Sequence, residues 1–203
     1  YPAFFAPGTP TTPTNNTGGA FTGIFSSTNS NIPVDADTGL INTQNEGDTT
    51  IRYTLADGCY TEQAITVSDA FQLRLVIPSG GATFSAGTVG GSGFDYNIDW
   101  GDGQRTTGIT SNTNQTHAYA EGTYTFSVYS SNKDGYNGFS ANQSSLVHEI
   151  LRWGNLKWTS MQRSFYNCGN LTTMPSSFTL PLRSGAVGIR TREAFRGAGL
   201  TSV

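Results

Sequence analysis

Phe94-Asp95-Tyr96-Asn97-Ile98-Asp99-Trp100-Gly101-Asp102-Gly103 decides how this chain is read, together with His117-Ala118-Tyr119 and Gly122-Thr123-Tyr124-Thr125-Phe126 further on. In an extended strand, successive side chains point to opposite faces. Phe94, Tyr96, Ile98 and Trp100 therefore share one face, and Asp95, Asn97 and Asp99 share the other. The apolar face is core. Gly101-Asp102-Gly103 supplies a tight turn, and Tyr124, Phe126 and Val128 repeat the alternation on a returning strand. The pattern predicts stacked β-sheets rather than an active site.

The rest of the composition fits an extracellular β-protein. Of 203 residues, 35% are hydrophobic and only 12% charged, about half the usual charged share. Solubility then rests on Ser, Thr, Asn and Gly. Eleven Lys and Arg against 14 Asp and Glu give a net charge of −3. Read as small and dispersed, that charge gives no reason to expect a nucleic-acid partner. No apolar run approaches the roughly 20 residues of a membrane helix, so direct membrane insertion is not expected. The chain opens without Met and stops soon after an apolar repeat position, and it is expected to be a stretch of something longer. Cys59 and Cys168 are too few for a disulfide scaffold and wrongly spaced for a metal knuckle. Cys168 is expected as a small buried thiol, and a Cys59–Cys168 bridge is not expected.

Along the chain three modules are expected. Residues 1–69 open on a Pro- and Thr-rich approach. Strands are then expected around Phe21, Ile24 and Phe25, at Leu40-Ile41, along Ile51, Tyr53 and Leu55, and at Ala64 to Val67. Residues 70–145 begin with Phe71, Leu73, Leu75 and Ile77 alternating with Gln72, Arg74 and Val76, and Asn132 to Asn142 reads as loop around one short strand. Residues 146–203 carry an internal repeat. Phe165 aligns with Phe195 at a spacing of 30 residues (195 − 165), and Leu171 aligns with Leu200 and Met174 with Val203. A period of 20 to 50 residues marks units that bury their apolar faces only by stacking.

Three family resemblances follow from these residues. Ile98, Asp99, Trp100, Gly101, Asp102, Gly103, His117, Tyr119 and Tyr124 resemble the PKD-like immunoglobulin-type module. Its mark is Trp-Asp-Phe-Gly-Asp-Gly, then His-x-Tyr and Gly-Thr-Tyr-x-Val, with Ile98 and Trp100 here in place of its Trp and Phe. Trp158-Thr159-Ser160-Met161, Phe165-Tyr166-Asn167-Cys168 and Asn170-Leu171-Thr172, echoed by Phe195 and Leu200, resemble BspA-like leucine-rich repeat surface proteins. In that family an Asp-Trp-Gly-Asp-Gly module precedes the first repeat through a Gln-Trp-Gly-like junction, which Arg152-Trp153-Gly154 matches. Gly18-Gly19-Ala20-Phe21, Asp35 to Ile41 and Gly58-Cys59 resemble the immunoglobulin-like repeats of very large bacterial surface proteins. The resemblances imply a mainly β chain: tandem immunoglobulin-like β-sandwiches (1–69 and 70–145) followed by the start of a leucine-rich-repeat solenoid (146–203).

Candidate chemistry is sparse. Asp95, Asp99 and Asp102 would suit a calcium ion, but Asp99 and Asp102 are better placed to accept backbone amides around the turn. Asp35-Ala36-Asp37-Thr38-Gly39 starts like a calcium loop with Glu46 at its twelfth position, yet Leu40 stands where the sharp turn needs Gly. His117 and His148 fall in different modules, with His117 expected to hydrogen-bond inside its sandwich. Gly90-Gly91-Ser92-Gly93 lacks a following helix and Lys, so it reads as a connecting loop. No nucleophile-and-base arrangement is found. The expectation is no catalytic residue, no metal and no cofactor. Trp153 and Trp158, with Tyr166 nearby, form either a sugar-stacking platform or the first core layer of the repeats, and the core layer is favoured.

The resulting expectation is a non-enzymatic fragment of a large secreted bacterial cell-surface adhesin. Its partners would be a surface glycan or protein and other modules of the same long chain. By resemblance, such proteins serve adhesion and, in gliding bacteria, leave by the type IX pathway. The alternatives are a non-catalytic accessory module of a secreted polysaccharide-degrading enzyme and a filament or phage structural subunit.

Overall fold

The computed structural model describes residues 4–5, 23–41, 46–67, 69–88, 93–130, 132, 134, 136–141, 144–176 and 188–200. The Gly18 to Phe21 run, the Pro-rich approach from Pro7 to Pro13, Gly90-Gly91-Ser92, and Val203 lie outside them. The chain is mainly β, with no helix among the described residues. It divides into two compact units, Tyr1–Asp69 and Ala70–Val203.

In the first unit β1 (Phe4–Phe5), β2 (Ile24–Ser27), β3 (Gly47–Thr54) and β4 (Tyr60–Val67) form one sheet in the order β1-β4-β3-β2. β1 runs parallel to β4 and the other pairs are antiparallel. Phe25, Ile51, Ile65 and Val67 point to one face, where Ile32 and Ile41 join them in a buried cluster. The sandwich expected for 1–69 is represented among the described residues by this single sheet. The expected strand at Leu40-Ile41 is a lone bridge between Val34 and Ile41, and Leu40 is exposed. Leu55 begins a turn instead of extending β3, its amide donating to the Cys59 carbonyl at 2.8 Å.

The second unit holds β5 (Phe71–Ile77), β6 (Ala82–Thr88), β7 (Tyr96–Asp99), β8 (Arg105–Ile109), β9 (Gln115–Tyr119), β10 (Gly122–Tyr129), β11 (Phe139–Ser140) and β12 (Val147–Arg152). They make a five-stranded sheet ordered β12-β5-β10-β7-β8 and a three-stranded sheet ordered β11-β6-β9. The inner faces meet through aromatic pairs such as Phe84 of β6 and Phe126 of β10, with centroids 5.3 Å apart. β5 follows the expected alternation, with Phe71, Leu73, Leu75 and Ile77 all buried. The return from Gly101-Asp102-Gly103 is made by β8, whereas β10, the strand expected there, pairs with β7 on its other side. β12 adds to the edge of the same sheet beside β5, with register shifts at two places. Residues 147–152, expected to open the repeat module, thus complete the five-stranded sheet.

Beyond β12 the chain forms two turns of matching shape, at 162–167 and 192–197. Arg163 and Glu193 have φ of 56° and 54°, and Asn167 and Gly197 have 54° and 72°, so the backbone repeats at the 30-residue spacing. The amides of Met161, Arg163, Phe165 and Asn167 donate to the carbonyls of Arg190, Arg192, Ala194 and Arg196 at 2.7, 3.1, 2.8 and 2.8 Å. Alternate amides within each turn bond locally, as when Ser164 donates to Met161 and Ala194 to Thr191. Half the donors therefore close the turn and half join it to its neighbour. The first turn is tied to the sheets in turn, since the Ala141 amide donates to the Ser164 carbonyl at 2.8 Å. One buried cluster runs from Phe71 through Trp100 and Phe139 to Phe165, Leu171 and Ala194.

Candidate functional site

The residues singled out by sequence assemble around two centres. At the first, Trp100 is buried at the end of β7, with its indole N–H donating to Thr106 Oγ1 at 2.9 Å. Its backbone carbonyl accepts the Tyr119 hydroxyl at 2.7 Å, which ties β9 of one sheet to β7 of the other. Asp99 accepts the Gly101 amide at 2.9 Å with one oxygen and the Arg105 guanidinium at 2.9 Å with the other. Asp102 accepts the Gln104 amide at 3.0 Å and sits 2.8 Å from His117 Nε2. Partial burial pushes the Asp102 carboxyl up, but the hydrogen bonds from His117 and Gln104 outweigh that and hold it below the ordinary aspartate range. An ionised carboxylate only accepts, so Nε2 carries the proton in this pair. Gly101 needs its left-handed backbone, φ 85°, and a methyl group there would land on the Thr125 carbonyl oxygen.

Every carboxylate oxygen described at this centre has a backbone or side-chain partner, an arrangement that holds a turn in place. Tyr124 packs its ring on Tyr119 with centroids 4.6 Å apart, and Ile98 and Trp100 face the core. Asp95 stays exposed and does not join Asp99 and Asp102. In the first unit, Asp35 accepts the amides of Asp37 and Thr38 and the Thr38 hydroxyl, while Glu46 accepts the Asp69 amide. These bonds hold the Asp35 carboxyl below its ordinary range, chiefly through Thr38. Among the described residues no group of three or more His, Cys, Asp or Glu side chains converges.

The second centre is the column of repeat residues. Trp153, Trp158, Met161, Phe165, Cys168 and Leu171 are buried, with Phe195 and Leu200 partly buried against them. Trp158 meets Phe71 edge-on at 5.2 Å, and Phe165 stacks on Phe195 with centroids 5.3 Å and planes 7° apart. The two indoles are thus core and present no flat face to a sugar. Cys59 is exposed and Cys168 buried, and the two form no disulfide with one another. The hydroxyls of Tyr96 and Tyr136 are buried without a hydrogen-bond partner. Burial raises Tyr96 to about 12 and Tyr136 well above the usual phenol range.

Sequence reading missed four contributors. Arg105 lies directly across β7 from Asp99. Tyr136 and Phe139, inside a segment read as loop around one short strand, which is Phe139–Ser140, fill the space between the sheets and the first turn. Glu193 bonds both Arg163 and Arg196 at 2.7 Å. The signal for Tyr136 and Phe139 was present, since two large aromatics seldom stand in a solvated loop. No protein-family model matches the chain, and no curated protein matches it.

Proposed function

We propose that this chain is a non-enzymatic, extracellular module of a bacterial cell-surface adhesin, in which immunoglobulin-like sandwiches carry the first turns of a leucine-rich-repeat solenoid. The observation that supports it most is the shared core. Phe139 of the smaller sheet packs on Phe165 at 5.9 Å, and Phe165 stacks on Phe195. A sheet core that continues without a break into stacked turns is a firm base for a repeat surface, and such surfaces bind through many weak contacts. The carboxylates and His117 around Trp100 are engaged in holding the turn, as a spacer module requires. Export by the type IX pathway and partners among surface glycans or proteins belong to the same proposal.

The test is to couple the whole chain to beads, probe glycan and surface-protein arrays, and assay polysaccharide cleavage in parallel. Capture of at least one ligand without turnover is expected. Cleavage would move the chain to a polysaccharide-degrading enzyme, ordered self-assembly seen by electron microscopy would make it a filament subunit, and no capture would defeat the proposal.

A further inference from the structure

The net charge of −3 conceals a steep segregation. Residues 1–69 hold one basic against seven acidic side chains, net −6, whereas residues 146–203 hold seven basic against two acidic, net +5. The basic excess is not dispersed: among the described residues Arg163, Arg190, Arg192 and Arg196 lie on or beside the stacked turns.

Arg163 and Arg196, from successive turns, flank the partly exposed ring of Tyr166, with guanidinium carbons 5.3 and 6.0 Å from its centroid. Their side chains are 55% and 66% exposed. Glu193 engages Arg163 through Nε and Arg196 through one terminal nitrogen. A guanidinium carries five N–H donors, so each arginine keeps donors free while Glu193 holds it in place. Arg190, just before the second turn, and Arg192, within it, are also exposed and add to the field.

The backbone gives a second, independent indication. Among the described residues, Arg163, Asn167 and Glu193 are the non-glycine residues with positive φ. The position matching Asn167 in the next turn is Gly197, which adopts that conformation freely. Arg163 and Glu193 sit where glycine would be easier, and an exposed ion pair offsets little of that strain. Residues held in such backbone conformations cluster at ligand-binding sites.

We infer that Arg163, Tyr166 and Arg196 form a subsite for an anionic polysaccharide, in which the guanidiniums take a uronate carboxylate or sulfate ester and the tyrosine ring takes a sugar face. Guanidinium is the group suited to paired hydrogen bonds with such anions. Successive turns set their ladders about 4.8 Å apart, a step comparable to one sugar residue along a linear polymer. The inference rests on the adhesive reading and names its ligand class.

The test uses the whole chain with polygalacturonate, heparin and neutral dextran, read by isothermal titration. Binding to one or both acidic polymers but not to dextran is expected, weakening several-fold between about 0.05 and about 0.3 M NaCl. Arg163→Gln with Arg196→Gln should lower that affinity about tenfold or more, and Tyr166→Ala should lower it several-fold, with thermal unfolding followed for each variant. Arg192→Gln, away from the Glu193 ion pairs, should weaken binding without touching the fold. Arg52→Gln is the matched control: Arg52 also covers a tyrosine, Tyr60 at 4.3 Å, and pairs with Glu62 at 2.6 Å, but in the acidic unit. Its substitution should leave affinity unchanged. Capture of a neutral glycan or a protein alone leaves the adhesive reading standing and overturns this one. Equal affinity for single-stranded DNA, equal loss with Arg52→Gln, or self-association abolished by the same arginine variants would each overturn it as well.

Discussion

The imidazole of His117 lies flat on the indole of Trp100, with centroids 4.9 Å and planes 15° apart, while its Nε2 reaches Asp102 at 2.8 Å. One histidine on β9 thus fixes both the core tryptophan and the turn that follows it. Asp102→Asn should cost about 1.5–3 kcal/mol near neutral pH, the range for a hydrogen bond to a charged group. Because the folded carboxyl lies below its ordinary value of 3.8, its stabilisation is complete above that value and fades as pH falls through the folded one. The gap between wild type and variant should therefore shrink as pH falls below 3.8 in thermal unfolding curves.

Gly101 and Gly103 both have positive φ, at 85° and 91°, but only Gly101 presses on a neighbouring strand. Gly103→Ala meets nothing within 4 Å, so it should carry only the left-handed penalty of about 1 kcal/mol. Gly101→Ala adds a clash with the Thr125 carbonyl and should cost about 3 kcal/mol or more. Chemical denaturation of the two variants orders them directly.

Removing one hydroxyl should have opposite signs at two tyrosines. Tyr119 donates to the Trp100 carbonyl at 2.7 Å, and Tyr119→Phe should destabilise by about 1 kcal/mol and leave that carbonyl short of a donor. Tyr136 has no partner for its buried hydroxyl, so Tyr136→Phe should be neutral or stabilise by up to about 1 kcal/mol. Urea midpoints at constant slope decide it.

Alkali should unfold the second unit steeply. Tyr96 is held at about 12, and Tyr119 and Tyr136 are raised further, in each case chiefly by burial. A phenol raised in the folded state stabilises fully below its unfolded value of 10.0 and loses that stabilisation as pH rises toward the folded value. Each buried tyrosine should remove about 1.4 kcal/mol per pH unit above that point. Tyrosinate absorbance and circular dichroism should change together, and ionisation without unfolding would contradict the burial.

Phe165 contacts Phe71, Phe139, Trp153 and Phe195 and has no exposed surface. Phe165→Ala should cost about 3–5 kcal/mol and lower the stability of sheets and turns together. Phe195→Ala, at a partly buried position, should cost less. Hydrogen exchange at β5 amides reports the coupling: no change there in Phe165→Ala would mean that sheets and turns unfold separately.

The parts legible in the sequence were those that repeat. The alternation of β5 and of Phe94 to Trp100 put the right side chains in the core, and the 30-residue spacing of Phe165 and Phe195 appears as a ring stack. β6 and β8 went unread because Thr, Ser, Gly and Ala alternate weakly with single apolar residues, so their strand character comes from pairing with β9 and β7. The place of β12 was illegible for a related reason. Val147 to Arg152 reads equally well as the start of a repeat or the edge of a sheet, and the choice is made by the exposed edge of β5. The charged cluster on the turns was hidden in a whole-chain total that averaged opposite ends.

The amides of Met161, Arg163, Phe165 and Asn167 all point the same way, toward carbonyls 29 residues later, as from 161 to 190. Slipping a single residue into 161–167 would exchange inward-bonding amides for outward ones and strand four donors at once. Duplicating a whole thirty-residue block instead hands every new copy the donors and acceptors it needs. Added length is thus compatible with this register in whole units and not in single residues.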